Sequence, residues 1–371
     1  MKETKKIIAV VGTRPDAIKM CPLIAELRKR EGFEVRVCST GQHRELLSSA
    51  LLSFGVIPDY ELGVMSEGQG LFDITERILA GMGELLDRER ADFVMVHGDT
   101  ASAFSSALAA FYKRIPICHV EAGLRTHDLS SPFPEEFYRR AIALMASYHF
   151  APTEAAEGNL LSEGIEEERI FVTGNTVLDS LKITENPNIS HTLVDFVRQG
   201  RTILLTAHRR ENQGDAMRSI FTAVLKILED FPDVRVIYPV HPSPAVRSVA
   251  EEILSPHPRV ALCEPLDVCL FHSLLSECYI ILTDSGGVQE EAVSLRRPVL
   301  VIRNTTERGE GVLSGGIRLV GTGEGSVYRG IRALLESRSL YYAMTQAKNP
   351  FGDGRASCRI ADKMDTIAGC I

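Results

Sequence analysis

The chain has no surplus of positive charge: 41 Lys and Arg stand against 49 Asp and Glu, a formal net charge of −8 over 371 residues. That balance argues against nucleic acid or an anionic membrane as the main partner. It leaves room for a local basic pocket that takes one phosphorylated small molecule. The eight cysteines include no CxxC pair and no metal-like spacing. Cys21, Cys38, Cys118 and Cys278 fall in apolar periodic segments and read as small buried side chains. HExxH and related zinc spacings are missing, so no metal is expected. No apolar run is long enough to span a bilayer. The opening MKETKKIIAVVG passes straight into a strand pattern, without the layout of a signal peptide. The reading is a soluble protein of a reducing cytoplasm.

What the sequence does contain is an ordinary globular balance, 44% hydrophobic and 24% charged, at a length that suits two domains. Apolar runs alternate with helical periodicity. Strands are expected over 6–11, 34–39, 93–96, 115–120, 148–151 and 170–173, with helices between them, among them 44–54, 102–112 and 135–146. Residues 182–200 include Asn186-Pro187-Asn188 and lose clean periodicity. They mark the junction between a domain over 1–181 and a second over 201–352. There the alternation restarts, with strands over 202–206, 234–240, 259–263 and 279–283 and a last clear one over 298–302; a terminal helix pattern covers 355–367. Alternation of this kind predicts an α/β architecture with a parallel sheet and helices on both faces in each half.

Nearly every polar cluster falls just after a strand, where open parallel sheets present their ligand crevice. The stretch ICHVEAGLRTHDLSSPFPEE ends a strand in His119 and Glu121. Ala122-Gly123 permits close backbone approach. Arg125 is either a cation of the site or half of an ion pair that fixes the loop. Glu135 and Glu136 open the next helix, and carboxylates so placed suit proton transfer. Asp99 closes a buried strand and demands a partner; helix capping by Asp99 or Thr100 is the alternative. In TDSGGVQEE, Ser285 and Gly286-Gly287 precede a helix whose free N–H groups suit a phosphate, with Glu290-Glu291 expected in its first turn. An ordinary N-cap turn is the alternative there. Gly12-Thr13-Arg14-Pro15 is a weaker version of the same device, with Arg14 and Lys19 adding charge. It matches neither GxGxxG nor the P-loop pattern. His208 with Arg209-Arg210 at a strand end suits a pyrophosphate, whereas His241 before Pro242 reads as a loop-shaping residue.

Taken in order, GTRPDAIKMCPL, TGQHRELL, VHGDT, HVEAGLRT, PFPEE, TGNTVLDSL, TAHRREN, PVHPSP, TDSGGVQEEA and RNTTER resemble the non-hydrolysing bacterial UDP-N-acetylglucosamine 2-epimerases. The match runs from Ile7 to about Ile360. The resemblance implies two Rossmann-like domains in a glycosyltransferase-B-like arrangement with the active site in the interdomain cleft. It also implies a C-terminal helical segment, 353–371, that crosses back to the first domain, and a homodimer. The implied reaction interconverts UDP-N-acetylglucosamine (UDP-GlcNAc) and UDP-N-acetylmannosamine (UDP-ManNAc), for surface polysaccharide, with no cofactor. UDP is eliminated as the C2 proton leaves, giving 2-acetamidoglucal, and then adds back as C2 is reprotonated on the other face.

Carried over residue by residue, the resemblance implies acid/base roles for Asp99, Glu121, Glu135 and His208. Arg14, Lys19, Phe271, Ser285, Gly286, Glu291 and Arg308 match UDP-sugar contacts. Gln42, His43, Glu136, Arg209 and His241 match parts of a neighbouring site at which some members bind UDP-GlcNAc as an activator. The chain departs from the family pattern at Tyr138, usually Asn; at Gly309, usually Pro; and at Gly316, usually Thr. His127 and Arg296 each replace a usual Gly. Glu45 and Gly68 stand where some activator-binding members carry Gln and Arg. The rival substrate is a modified UDP-HexNAc such as a 2,3-diacetamido uronic acid sugar. A hydrolysing epimerase, a glycosyltransferase on the same fold and a non-catalytic UDP-sugar sensor are the other readings; the sensor would be expected to lack the carboxylates.

Overall fold

The computed structural model describes residues 4–41, 44–65 and 68–369, with the backbone alone for 44–46 and 210. Contacts group the chain into two units, residues 1–183 with 351–371, and residues 184–350.

In the first unit, strands and helices alternate as β1 (Lys5–Val11), α1 (Arg14–Leu27), β2 (Phe33–Ser39), α2 (Arg44–Ser53), β3 (Tyr60–Glu61), α3 (Leu71–Glu89), β4 (Phe93–His97) and α4 (Ala101–Tyr112). They continue as β5 (Ile117–Val120), α5 (Glu135–Met145), β6 (Tyr148–Ala151), α6 (Glu154–Ser162), β7 (Ile170–Val172) and α7 (Val177–Thr184). The sheet order is β3-β2-β1-β4-β5-β6-β7, and its pairings are parallel. The order reverses between β1 and β4, which is where doubly wound sheets open a crevice at their carboxyl ends. Ile7, Ile8, Ala9, Val10 and Val11 are all buried, as a central parallel strand covered on both faces requires. Ile8, Val10, Val94 and Val96 join a core with Ile78 and Met82 of α3, Ala107 of α4 and Ile142 of α5.

The second unit contains α8 (Thr192–Val197), β8 (Arg201–Thr206), α9 (Asp215–Asp230), β9 (Val234–Pro239), α10 (Pro244–Ile253), β10 (Val260–Cys263) and α11 (Val268–Glu277). After these come β11 (Ile280–Thr283), α12 (Gly286–Ser294), β12 (Val299–Val301), α13 (Gly309–Leu313), β13 (Ile317–Leu319), α14 (Glu324–Glu336) and α15 (Arg338–Thr345). The order β10-β9-β8-β11-β12-β13 repeats the reversal of the first sheet, here between β8 and β11. Its core gathers Ile203, Leu205, Val236 and Leu282 of the sheet with Phe221 and Val224 of α9 and Ile331 of α14.

The last helix, α16 (Ala356–Ala368), belongs to the first unit and packs on α1. Its first N–H groups would otherwise be orphaned. Asp179 of α7 accepts from Ala356 N at 3.1 Å and Ser357 N at 2.9 Å. Arg30, just beyond α1, pairs with Asp362 at 2.8 Å and Asp365 at 2.9 Å.

The α/β alternation is as expected, and Cys21, Cys38, Cys118 and Cys278 are buried. Within residues 182–200, α7 runs on to Thr184 and α8 occupies Thr192–Val197. The strand near 298–302 is not the last: β13 pairs beside it, Val299 opposite Ile317. β13 escapes notice because it is three residues long with an exposed Arg318 at its centre.

Candidate functional site

In the first unit the site grows from the ends of β1, β4 and β5. Thr13 caps α1 in a reciprocal box with Asp16, which satisfies two otherwise orphaned donors. Asp16 Oδ2 accepts from Thr13 N at 3.0 Å and Gly12 N at 3.2 Å. Thr100 Oγ1 donates to the same oxygen at 3.3 Å, tying the loop after β1 to the loop after β4. Burial pushes the Asp16 carboxyl up to about 6, against the pull of those N–H groups, and the nearby Asp99 charge adds to the rise.

Asp99 finds the partner its position demands in Arg139 of α5, whose Nε donates to Asp99 Oδ2 at 3.0 Å. Thr100, not Asp99, is the α4 cap, accepting from Ala103 N at 3.1 Å. Arg139 Nη1 also reaches Glu136 Oε2 at 3.2 Å. Glu136 is fully buried and accepts from Thr126 N at 3.1 Å and His127 N at 3.2 Å. The chain Glu136–Arg139–Asp99 therefore fixes the loop before α5 and the loop after β4 together. Glu135, the first residue of α5, is half-buried.

Glu121 follows β5 with φ at 61°, a left-handed backbone that costs a non-glycine residue about 1–2 kcal/mol. Its side chain is 8% exposed. Lys19 of α1 pairs with Glu121 Oε2, and Asn175 Nδ2 donates to the same oxygen at 2.6 Å. His97 Nε2 stands 3.8 Å away. Gly123 supplies the close approach expected of it: a Cβ there would lie 2.2 Å from Ala156 O. Arg125 resolves to the ion-pair alternative, with Nε and Nη2 on the two oxygens of Glu163 at 2.8 and 2.7 Å. His119 turns inward, its Nε2 2.8 Å from Gly98 O, and burial drives it down to about 3.

In the second unit the focus is Asp284, fully buried after β11. Its Oδ2 accepts from His208 N and Arg209 N, each at 2.8 Å, and from Asn212 Nδ2 at 2.9 Å. The His208 ring brings Nδ1 to 3.1 Å from Oδ1. Burial alone would push this carboxyl upward, but the His208 hydrogen bond and charge, with the two N–H groups, hold it below its ordinary range. The His208 ring lies nearly parallel to His241, centroids 5.6 Å apart. His241 Nδ1 accepts from Ser243 N at 3.2 Å, the loop-shaping role expected before Pro242.

Helix α12 begins at Gly286, and Ser285 precedes it in extended backbone with no side-chain capping bond. Glu290 and Glu291 therefore lie in its second turn, not the first, because Asp284 and Ser285 stay outside the helix. Arg308 Nε donates to Glu290 Oε1 at 2.7 Å and Nη1 to Glu307 Oε1 at 2.8 Å. Arg303 reaches Glu307 at 3.0 Å and Arg209 lies 3.8 Å from it. Burial pushes Glu307 up, but Arg308, Arg303 and Arg209 hold it far below the carboxylate range. Gly286 admits this cluster: a Cβ would sit 2.9 Å from Glu307 Oε1 and 3.1 Å from Arg308 Cζ. Glu291 faces His272 Nε2 at 3.6 Å. Phe271 is half-buried beside that histidine, with ring centroids 6.1 Å apart.

Among the sequence-predicted residues, the first unit brings Lys19, Asp99, Glu121 and Glu136 into bonded networks, with Arg14 half-buried at the start of α1. The second unit groups His208, Arg209 and Asp284, and separately Gly286 and Arg308. Gln42 and His43 lie outside the described residues, as does the Glu45 side chain. Asp16, His97, Arg139, Asn175 and Asp284 take part without having been singled out as site residues. Three of them left a signal: Thr13 and Asp16 have capping-box spacing, Arg139 is one helical turn from Glu136, and Asp284 directly follows an apolar run. Among the described residues, no group of three or more His, Cys, Asp or Glu side chains is arranged to hold a metal ion.

Comparison with known proteins finds the UDP-N-acetylglucosamine 2-epimerase family model matching residues 25–365. A Bacillus subtilis UDP-N-acetylglucosamine 2-epimerase is 48% identical over 359 residues, 97% of this chain and 94% of the relative. The S. aureus MnaA–UDP co-structure superposes with a TM-score of 0.95 at 45% identity, covering 99% of this chain and 98% of that one. A Neisseria meningitidis UDP-GlcNAc 2-epimerase bound to UDP-GlcNAc gives 0.93 at 42% identity, with 97% and 100% coverage.

Proposed function

Because the chain belongs to the UDP-N-acetylglucosamine 2-epimerase family, we propose that it interconverts UDP-GlcNAc and UDP-ManNAc by eliminating and re-adding UDP. The observation that carries this reading is the pair of carboxylates, Asp99 and Glu121, at the ends of adjacent strands, each held by its own cation. In the forward direction a carboxylate takes the C2 proton while the C1–O bond to UDP breaks. The products are 2-acetamidoglucal and UDP. In the return step a UDP phosphate oxygen attacks C1 and a proton is delivered to the opposite face of C2. Inversion needs access to both faces, which argues for more than one acid/base group, and the proposal assigns those roles to Asp99, Glu121 and Glu135. A C2 hydrogen is a poor acid, and departure of UDP must help. His208, oriented by Asp284, together with Arg14 and the start of α12 at Ser285 and Gly286, stabilises the leaving pyrophosphate. Lys19, Phe271, Glu291 and Arg308 complete the UDP-sugar contacts. The product would supply ManNAc-type sugars for surface polysaccharide.

The test is incubation with UDP-GlcNAc followed by product NMR. UDP-ManNAc is the expected product; free ManNAc with UDP, or no reaction, would contradict the reading. Glu136, Arg209 and His241, with Gln42 and His43, form an activating site in this proposal. Added UDP-GlcNAc should then accelerate UDP-ManNAc turnover, and initial rates indifferent to it would remove the activating site alone.

A further inference from the structure

Asn175 has no part in the roles set out above, yet it makes the contact that fixes Glu121. It lies between β7 and α7 and is 2% exposed. Its Oδ1 accepts from Val177 N at 3.1 Å, which orients the amide and leaves Nδ2 as the donor to Glu121 Oε2 at 2.6 Å. Its backbone N donates to Phe351 O at 2.8 Å, and Phe351 is the first residue of the segment that rejoins the first unit. One residue therefore joins the start of α7, the returning chain and the carboxylate. Among the groups that face this carboxylate are Lys19 from α1, His97 from the end of β4 and Asn175 itself. The Lys19 ammonium, a point charge on a flexible stem, sets charge but little direction. A planar amide pinned at its other end sets direction.

We propose that Asn175 is a positioning residue that holds the Glu121 carboxylate in its reacting orientation and anchors it to the returning segment at Phe351. This rests on the acid/base reading of Glu121. Asn175→Asp tests it, because the variant keeps an oxygen for Val177 N and the backbone bond to Phe351 but exchanges the donor for a second carboxylate oxygen. UDP affinity and KM should stay within about threefold, while kcat falls at least about tenfold, since small misplacements of a reacting group are costly. The acid limb of the kcat–pH profile should also move upward, because a neighbouring anion disfavours ionisation. The new anion acts on Glu121 whatever role Asn175 plays, so Asn175→Ala, which removes the donor without adding charge, is measured beside it, and parental kcat in either variant overturns the proposal. Should Asn175→Asp not fold, Asn175→Ala decides alone: reduced kcat at unchanged UDP affinity supports the proposal, and parental kcat overturns it. Failure of both variants to fold assigns a purely structural role and also overturns it. Glu121→Gln, run alongside, separates the two claims. Parental turnover in Glu121→Gln removes the acid/base reading itself, whereas an inactive Glu121→Gln beside a parental Asn175→Asp removes only the positioning role.

Discussion

At the scale of residues, the site is built from carboxylates whose surroundings differ. Glu121 is gripped by Lys19 and Asn175, Asp99 by Arg139, and Glu135 stands half-buried at the start of α5. Asp99→Asn, Glu121→Gln and Glu135→Gln should each lose at least about a hundredfold in turnover, the scale of a positioned acid or base. UDP affinity should change much less. Calorimetry with UDP beside steady-state assays checks this, and a variant with parental turnover drops that residue from the acid/base set. Asp16 allows a prediction about stability. Its folded value is about 6 against an ordinary 3.8, so between those values the folded chain keeps a proton that the unfolded chain has lost. The stability it contributes is therefore full below about pH 4 and is lost as pH rises through about 6. Asp16→Asn keeps an acceptor for Gly12 and Thr13 but cannot ionise. It should gain on the parent by roughly 1 kcal/mol between pH 5 and pH 7 in urea unfolding; a constant difference across that range would contradict the assignment. The departures from the family pattern also become intelligible here. His127 and Arg296 replace usual glycines at φ of 63° and 55°, where glycine carries no steric cost. Tyr138 stacks on Phe104 at 4.9 Å between α4 and α5.

At the scale of elements, the proposed acid/base groups sit at strand ends and beside helix starts. Arg308 shows how closely the two are coupled, since it is buried against Glu290 and Glu307 above the first residue of α12. Arg308→Ala should weaken UDP binding by roughly 1.5–3 kcal/mol. It should also destabilise the second unit by about 3–5 kcal/mol, because two buried carboxylates lose a partner. Denaturation and UDP titration of the same variant check both: unchanged stability would contradict the buried pairing, and unchanged UDP affinity the nucleotide role. Most strands were legible in the sequence because each apolar run stops at a polar motif, as β5 does at Glu121. Helix α3 also carries a sequence signal, since Ile74, Ile78, Met82 and Leu85 repeat at helical spacing and are buried. The bonds among site residues were less legible, because they join distant positions. Asn175 and Glu121 are 54 residues apart and Asp284 and His208 are 76 apart, and no local periodicity reports such pairs. The partner of Arg125 was equally hidden, because Glu163, whose two oxygens take its Nε and Nη2, lies 38 residues on.

At the scale of the whole molecule, the two sheets share one order over six strands, with β7 added at the edge of the first, and polar groups follow the strands at and beside the reversal. The first unit concentrates carboxylates with matched cations. The second gathers Arg209, Arg303 and Arg308 around Glu307 beside the start of α12, with Glu211 and Glu290 pairing Arg303 and Arg308. Among the described residues, no helix is long and apolar enough to cross a membrane. The central claim is that epimerisation proceeds by proton exchange at C2 with transient loss of UDP. The most direct measurement follows UDP-GlcNAc turnover in D2O by NMR. UDP-ManNAc carrying deuterium at C2, with UDP and 2-acetamidoglucal accumulating on prolonged incubation, is the predicted result. Product that retains protium at C2 throughout turnover would contradict it and point to internal hydrogen transfer.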